Sequence, residues 1–230
     1  MLANLSEGKL KLWSCFCFGL LLFSAFSANA QSIGQSKTDT QEWNDVQFAV
    51  PLSDKIDFVL QGTLRFGRDI SRPVDERLGV GFSFKIGKYL TVTPAYMHIA
   101  TQPFRNIKQF ENRLLLPITL RFLIGKFRIS DRNGFERRSR HPGIDSTRYR
   151  NKLQVEHPIG PDKYKLSLFV SDEVFYDWSV NAWVRNRAAV GVTKVFNKNL
   201  QGDLYYLRQS DSHSRPGDLH VIGTALRIRW

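Results

Sequence analysis

Along most of this chain, apolar and polar residues take turns one for one. An extended strand points successive side chains to opposite faces, so a period of two marks a sheet with one apolar and one polar face. Residues 56–66 set the pattern: Ile56, Phe58, Leu60, Leu64 and Phe66 share one face, and Asp57, Gln61, Thr63 and Arg65 the other. In 78–86, Leu78, Val80, Phe82, Phe84 and Ile86 oppose Gly79, Gly81, Ser83 and Lys85. Leu90, Val92 and Tyr96 continue the series, then Leu114, Leu116, Ile118, Leu120 and Phe122. Further on, the polar partners become charged. Phe127, Ile129 and Phe135 alternate with Arg128, Arg132, Glu136 and Arg138; Tyr149, Leu153 and Val155 with Arg148, Arg150, Lys152 and Glu156. Leu166, Leu168, Val170 and Val174 oppose Ser167, Ser171 and Glu173, and Val184, Ala188, Val190 and Val192 oppose Arg185, Arg187 and Thr193. Leu200, Leu204 and Tyr206 oppose Gln201, Asp203 and Gln209. With a first run at 42–50 and a last one ending at Trp230, about eleven strands are predicted, and no helical period follows Gln31.

The connections between these runs differ in length. Pro51–Lys55, Gly87–Lys88, Leu123–Lys126, Gly160–Lys163 and Asn197–Asn199 read as short turns. Arg68–Asp75, Thr101–Lys108, Arg137–Ser146, Asp177–Trp183 and Ser210–Asp218 read as longer, more polar loops that alternate with them. Strands of 9–14 residues with short turns at one end and long loops at the other predict an all-β, antiparallel up-and-down transmembrane β-barrel. In lipid every backbone polar group must be satisfied internally, so such a sheet closes on itself. A soluble sandwich or periplasmic barrel also alternates; strand length, turn asymmetry and the C-terminus separate the readings. The last strand carries Ile222, Leu226 and Ile228 on one face and ends in the aromatic Trp230, as expected of a signal read by the barrel assembly machinery. Short turns on the periplasmic side would start strand 42–50 outside the cell, which conflicts with an even strand number. A further short strand within Ile33–Gln41 makes twelve strands the expectation, with ten the alternative.

The first thirty residues have another character. Lys9 and Lys11 precede an apolar run, Leu12–Phe26, that ends in Ser27-Ala28-Asn29-Ala30. A basic start, a run too short to span a bilayer and an Ala28-x-Ala30 site are the parts of a cleavable secretory signal. The expected organisation is a signal peptide over 1–30, an N-terminal segment or short strand over 31–41 and a barrel over 42–230, placed in the outer membrane. Cys15 and Cys17 would leave with the signal.

The chain carries 33 Lys+Arg against 21 Asp+Glu, a formal charge of +12. A surplus of this size ordinarily suggests nucleic acid or an anionic surface as partner. Export removes nucleic acid from consideration, and cleavage after Ala30 lowers the charge only to +11. The strands then place most of the charge on the face opposite the Phe and Leu stripe. In a barrel that face is the lumen, and the remaining partners are outer-membrane lipid and lipopolysaccharide.

From about residue 145 a series of short motifs stands out. It runs Arg148-Tyr-Arg-Asn-Lys152, Asp172-Glu-Val-Phe175, Asn186-Arg187 with Gly191 after it, Asn199-Leu200, Tyr205-Tyr-Leu-Arg-Gln209 and His220-x-x-Gly223. In this the chain resembles the bacterial family catalogued as domain of unknown function 2490, over about 42–230 and most clearly in the last 85 residues. The resemblance implies an exported outer-membrane barrel with no assigned activity, and it supplies no catalytic residues. Phe110-Glu-Asn-Arg113 fits the family pattern only loosely.

Neither catalysis nor a cofactor is indicated. None of the five His has a Ser two positions away on a strand, as a lipid-facing Ser–His dyad would require; Ser139–His141 and Ser212-His213-Ser214 fall in expected loops. The scattered His show no metal-ligand spacing. The chemistry that remains is charge. Glu111, Arg113, Arg128, Arg132, Glu136, Arg148, Arg150, Lys152, Glu156, Glu173, Arg185 and Arg187 are expected to meet in the lumen, with Asp172 in the same acid–base cluster. They would form either a ladder of ion pairs filling a modest barrel or the lining of a passive or anion-preferring pore. A structural envelope role, a lipid- or lipopolysaccharide-modifying barrel enzyme and a soluble anion-binding periplasmic protein remain the other readings. Oligomeric state is not encoded in any pattern found here.

Overall fold

Wherever the sequence alternates, the chain is extended. The computed structural model describes residues 37–104 and 107–230. The predicted signal peptide, with Ala28 and Ala30, lies outside the described residues. Twelve strand segments follow one another: β1 (Thr38–Pro51), β2 (Ile56–Gly67), β3 (Arg72–Ile86), β4 (Leu90–Val92), β5 (Ala95–Phe104), β6 (Ile107–Ile124), β7 (Phe127–His141), β8 (Ser146–Ile159), β9 (Leu166–Asp177), β10 (Ala182–Val195), β11 (Leu200–Asp211) and β12 (Asp218–Arg229). Sequential strands pair antiparallel, with β4 and β5 both lying between β3 and β6, and β1 returns to pair with β12, which closes the barrel.

Segments β4 and β5 are two halves of one stave. Phe84 pairs with Val92 and Gly81 with Ala95, so the register keeps step across the gap, as it does against β6 (Val92 with Ile118, Ala95 with Leu115). Pro94 has no N–H to give the ladder. The Thr93 N–H bonds to Pro117 O at 2.9 Å and the Phe82 N–H to Pro94 O at 3.1 Å, so the wall stays joined there. Twelve segments therefore build eleven staves. An odd number of alternating staves leaves the first and last running the same way, and the β1–β12 seam is parallel, Thr38 with Asp218 through Ala49 with Arg229. The parity conflict is thus resolved at the seam. The extra segment comes from the Pro94 break, and residues 38–41, expected as an N-terminal segment or a short strand of their own, form the start of β1.

The contrast in loop length is not found. Connections at the end where β1 begins are 68–71, 142–145, 178–181 and 212–217; those at the other end are 52–55, 87–89, 125–126, 160–165 and 196–199. Stretches expected to loop are strand: Arg137–His141 stays paired with Phe110–Leu114. Beyond the apolar band the outer face no longer needs apolar residues, so pairing continues after the hydropathy alternation has stopped. A twelve-residue stave is about 40 Å long and, at a tilt of about 40°, about 30 Å tall, enough for an apolar band of about 25 Å.

The outer face is apolar, with Leu60, Leu78, Val80, Phe82, Leu114, Leu168, Val170, Leu204 and Ile222 all exposed on it. Near the β1-start end Phe135, Tyr149, Tyr176, Trp178 and Trp183 contact one another as an aromatic patch on this face. One strand departs from the predicted phase. A register shift between Trp183 and Arg185 turns Val184 into the buried interior, while Ala188 and Val190 keep the outward positions expected of them.

Candidate functional site

Filling the interior of an eleven-stave barrel requires large side chains with gaps cut for them. One row of cross-strand partners shows how it is done: Phe169, Gly191, Tyr205, Gly223, Trp43 and Arg65 lie side by side on β9, β10, β11, β12, β1 and β2. Large and small alternate from Phe169 to Trp43. A Cβ on Gly223 would stand 2.1 Å from the Tyr205 ring, and one on Gly191 would stand 2.5 Å from Tyr205 Cβ. Trp43, Leu207, Leu219 and Val221 form a small apolar core on the inner wall of the seam. The Arg65 guanidinium lies 3.6 Å from the centroid of the Trp43 ring and that of Arg187 lies 4.8 Å from it.

Around this row the charged residues assemble. Glu136 is almost fully buried and accepts from Arg148 Nη2 at 2.6 Å and Arg150 Nη1 at 2.9 Å, with Arg113 Nη1 at 3.7 Å. Glu173 meets Arg150 Nε at 3.0 Å, Arg132 at 3.3 Å and Arg187 at 3.7 Å. Glu111 holds Arg113 at 2.7 Å and Arg138 at 2.5 Å, and Asp211 holds Arg185. Phe175, with no exposed surface, sits among the guanidinium groups of Arg148, Arg187, Arg185 and Arg150 at 4.8, 5.0, 5.5 and 5.7 Å. Towards the end of β12 lie three more sets: Arg128 with Glu156 at 2.6 Å, Arg227 with Asp203 at 2.5 Å, and Asp57 with Arg229 and Lys85 at 2.8 and 3.1 Å.

The two ends of the lumen differ in wetness. Around Phe175 the side chains of Arg148, Arg187, Arg185 and Arg150 are 3, 9, 19 and 23% exposed; those of Arg128, Arg229 and Arg227 at the β12 end are 54, 46 and 40% exposed. The first end is a packed plug and the second an open mouth. Between them a chamber of about 330 Å³ is lined by eight cations, Arg65, Arg77, Arg113, Arg132, Arg150, Lys152, Arg187 and Arg227, against four carboxylates, Asp45, Glu136, Glu173 and Asp203. Lys152 makes no ion pair among the described residues, and the buried Nε atoms of Arg65 and Arg132 have no hydrogen-bond partner. Such a chamber can hold a small anion by charge and by unspent N–H donors.

All twelve predicted cluster residues thus face the lumen, Arg128 from its open mouth. Asp172 does not join them: one position out of phase with Glu173, it faces outwards and accepts from Asn186 Nδ2 at 2.8 Å. Sequence reasoning missed the inward aromatics Trp43, Phe169 and Phe175 and the carboxylates Asp75 and Asp177, and it left Asp57, which it placed on the polar face, out of the cluster. Phase carried the signal, because Phe169, Phe175 and Asp177 are in step with Glu173. Ile222, Leu226 and Ile228 line the outer face of β12, and Trp230 ends it, largely exposed, its N–H bonded to Ala49 O at 3.0 Å. Among the described residues no group of three or more His, Cys, Asp or Glu could hold a metal. Ser212 bonds to His213 Nδ1 at 2.7 Å in an exposed loop.

The family model described as "Protein of unknown function (DUF2490)" matches residues 40–220. The chain belongs to this family. Its motifs now have places: Gly191, Tyr205 and Gly223 form the row just described, Arg148 and Phe175 the plug. No curated protein matches the chain. Among solved structures, LpxR from Salmonella typhimurium superposes with a TM-score of 0.46 at 9% identity, over 76% of this chain and 83% of its own. An anion-selective porin from Comamonas acidovorans gives 0.36 at 12% identity, over 75% and 57%, and the siderophore receptor PirA from Pseudomonas aeruginosa 0.31 at 13%, over 71% and 34%. At such scores these three proteins say nothing about what this family member binds or does.

Proposed function

We propose that this protein is an outer-membrane barrel holding small anions in a blind, cation-lined chamber that opens at the end of β12, taken as the periplasmic end. The observation that carries the reading is the gradient of exposure along the lumen, from a buried Phe175–Glu136–Arg148 plug to a wet mouth ringed by Arg128, Arg227 and Arg229. A through-pore would keep its constriction hydrated, whereas here the constriction is ion-paired and packed. The apolar outer wall supports outer-membrane lipid and lipopolysaccharide as surroundings, and the β12 face ending in Trp230 supports delivery by the barrel assembly machinery. No catalytic step is assigned: the Ser212–His213 pair sits in a loop away from the chamber, and Ser139 and His141, which lie on β7 and not in the expected loop, form no pair, the Ser139 hydroxyl donating to Asp145. In planar bilayers the protein should show no steady conductance. Phosphate or sulfate should raise the temperature at which the folded band is lost in heat-modifiability gels, and Arg65→Gln with Lys152→Gln should abolish the increase. Steady ohmic current from the wild type would reject the blind chamber. An anion effect that survives both substitutions would reject the site.

A further inference from the structure

Cross-strand partners share a face, so Asp172 on β9, Ala188 on β10 and Arg208 on β11 form one outward-facing row. All three lie below the aromatic patch of Tyr176 and Trp183 and above Leu168 and Val170. At the usual tilt Asp172 sits about 10 Å from the level of Tyr176, within the apolar band. Neither charge is paired. Asp172 has a single amide donor, Asn186, and Arg208 has no partner among the described residues. The outward carboxylate of β7 differs. Asp131 accepts from both Asn151 and Asn133 at 2.6 and 3.0 Å, and Asn133 accepts from Tyr149, so that network is satisfied without a visitor.

Unpaired charges on a lipid-facing wall are disfavoured and call for a partner that removes them from the hydrocarbon. The arrangement says which. An acid and a base stand at equal spacing on either side of a small residue. A twofold axis parallel to the barrel axis and passing in front of Ala188 brings Asp172 of one copy to the side of Arg208 of the other, offset in height by about 6 Å at a tilt of about 40°, within the span of an Arg side chain. We propose that a second copy of this chain docks on the β9–β11 wall, Ala188 against Ala188, with Asp172 of each protomer facing Arg208 of the other. The depth of the row favours a second copy over a lipid headgroup, because the three positions lie within the apolar band, away from the level of the headgroups. This inference rests on the membrane-embedded reading of the barrel.

The test uses the full-length protein in lipid nanodiscs, with folding checked independently by heat-modifiable mobility, so that failure to insert is distinguished from failure to pair. Ala188→Cys should give a covalent dimer under mild oxidation, whereas Leu114→Cys on the opposite wall should not. Asp172→Arg and Arg208→Asp should each lower the dimer fraction on the order of tenfold, and the two together should restore it. Folded protein that stays monomeric, cross-links equally at both cysteines, or dimerises without regard to the charge reversals would overturn the proposal.

Discussion

At the scale of single residues, the interior depends on matched shapes and matched charges. Gly223 is the sharper case of the first, since its Cβ position is already occupied by the Tyr205 ring. Gly223→Ala should destabilise by about 1–3 kcal/mol, the usual cost of overpacking, and Gly223→Ala with Tyr205→Leu should recover much of it. Urea titration of the folded protein in detergent would read both. Glu136 is the case of the second. Removing its charge leaves Arg148, Arg150 and Arg113 facing one another in a buried plug, and the loss for breaking such a pair is about 3–5 kcal/mol. Glu136→Gln should therefore lower the unfolding midpoint more than Glu156→Gln, whose partner Arg128 stands in the open mouth. In the connection after β7, Asp145 accepts from the Ser139 hydroxyl at 2.9 Å and the Arg140 N–H at 3.1 Å, which holds its carboxyl below the usual range. A depressed carboxyl contributes while ionised, so this loop clasp is complete above about pH 4 and is lost as pH falls through the folded-state value. The protection of the Arg140 amide, corrected for intrinsic exchange, should fall at low pH and should be pH-independent in Asp145→Asn.

At the scale of elements, the parallel seam is the feature that makes an odd stave number workable. Parallel pairing is slightly weaker per residue than antiparallel. Here the inner wall of the seam carries the apolar core of Trp43, Leu207, Leu219 and Val221, which adds burial where pairing is weakest. On the outer face Val46 stands opposite Leu226. Val46→Cys with Leu226→Cys should form an intramolecular disulfide, seen as faster mobility without reductant. A pairing one residue out of step would turn one of the two side chains inwards and give no bond. The β4–β5 break is less demanding, since Pro94 interrupts the ladder without changing register.

At the scale of the whole molecule, the lumen divides into plug, chamber and mouth, and this division makes the conductance measurement decisive. Phe175→Ala removes the apolar centre of the plug and leaves four guanidinium groups without their ring. Brief, anion-selective openings are expected of that variant in planar bilayers. Silence from both variant and wild type would mean that the ion pairs alone seal the lumen.

The alternation of residues such as Leu78, Val80 and Phe82 determined from sequence that the chain is a sheet with one apolar face, and it assigned Glu136, Arg148, Glu173 and Arg187 to the inside. Period two is a local property, so it survives without knowledge of the fold. Which inward charges pair is not local: Arg229 on β12 meets Asp57 on β2, and only closure through β1 brings those two strands together. Stave number was legible to within one break but its parity was not, because closure is a relation between Thr38–Ala49 and Asp218–Arg229 at opposite ends of the chain. The outward place of Asp172 was present in the phase of β9, yet its charge drew it into the cluster beside Glu173. Only the geometry of a closed wall, where one residue's step means inside or outside, put the two carboxylates on opposite sides.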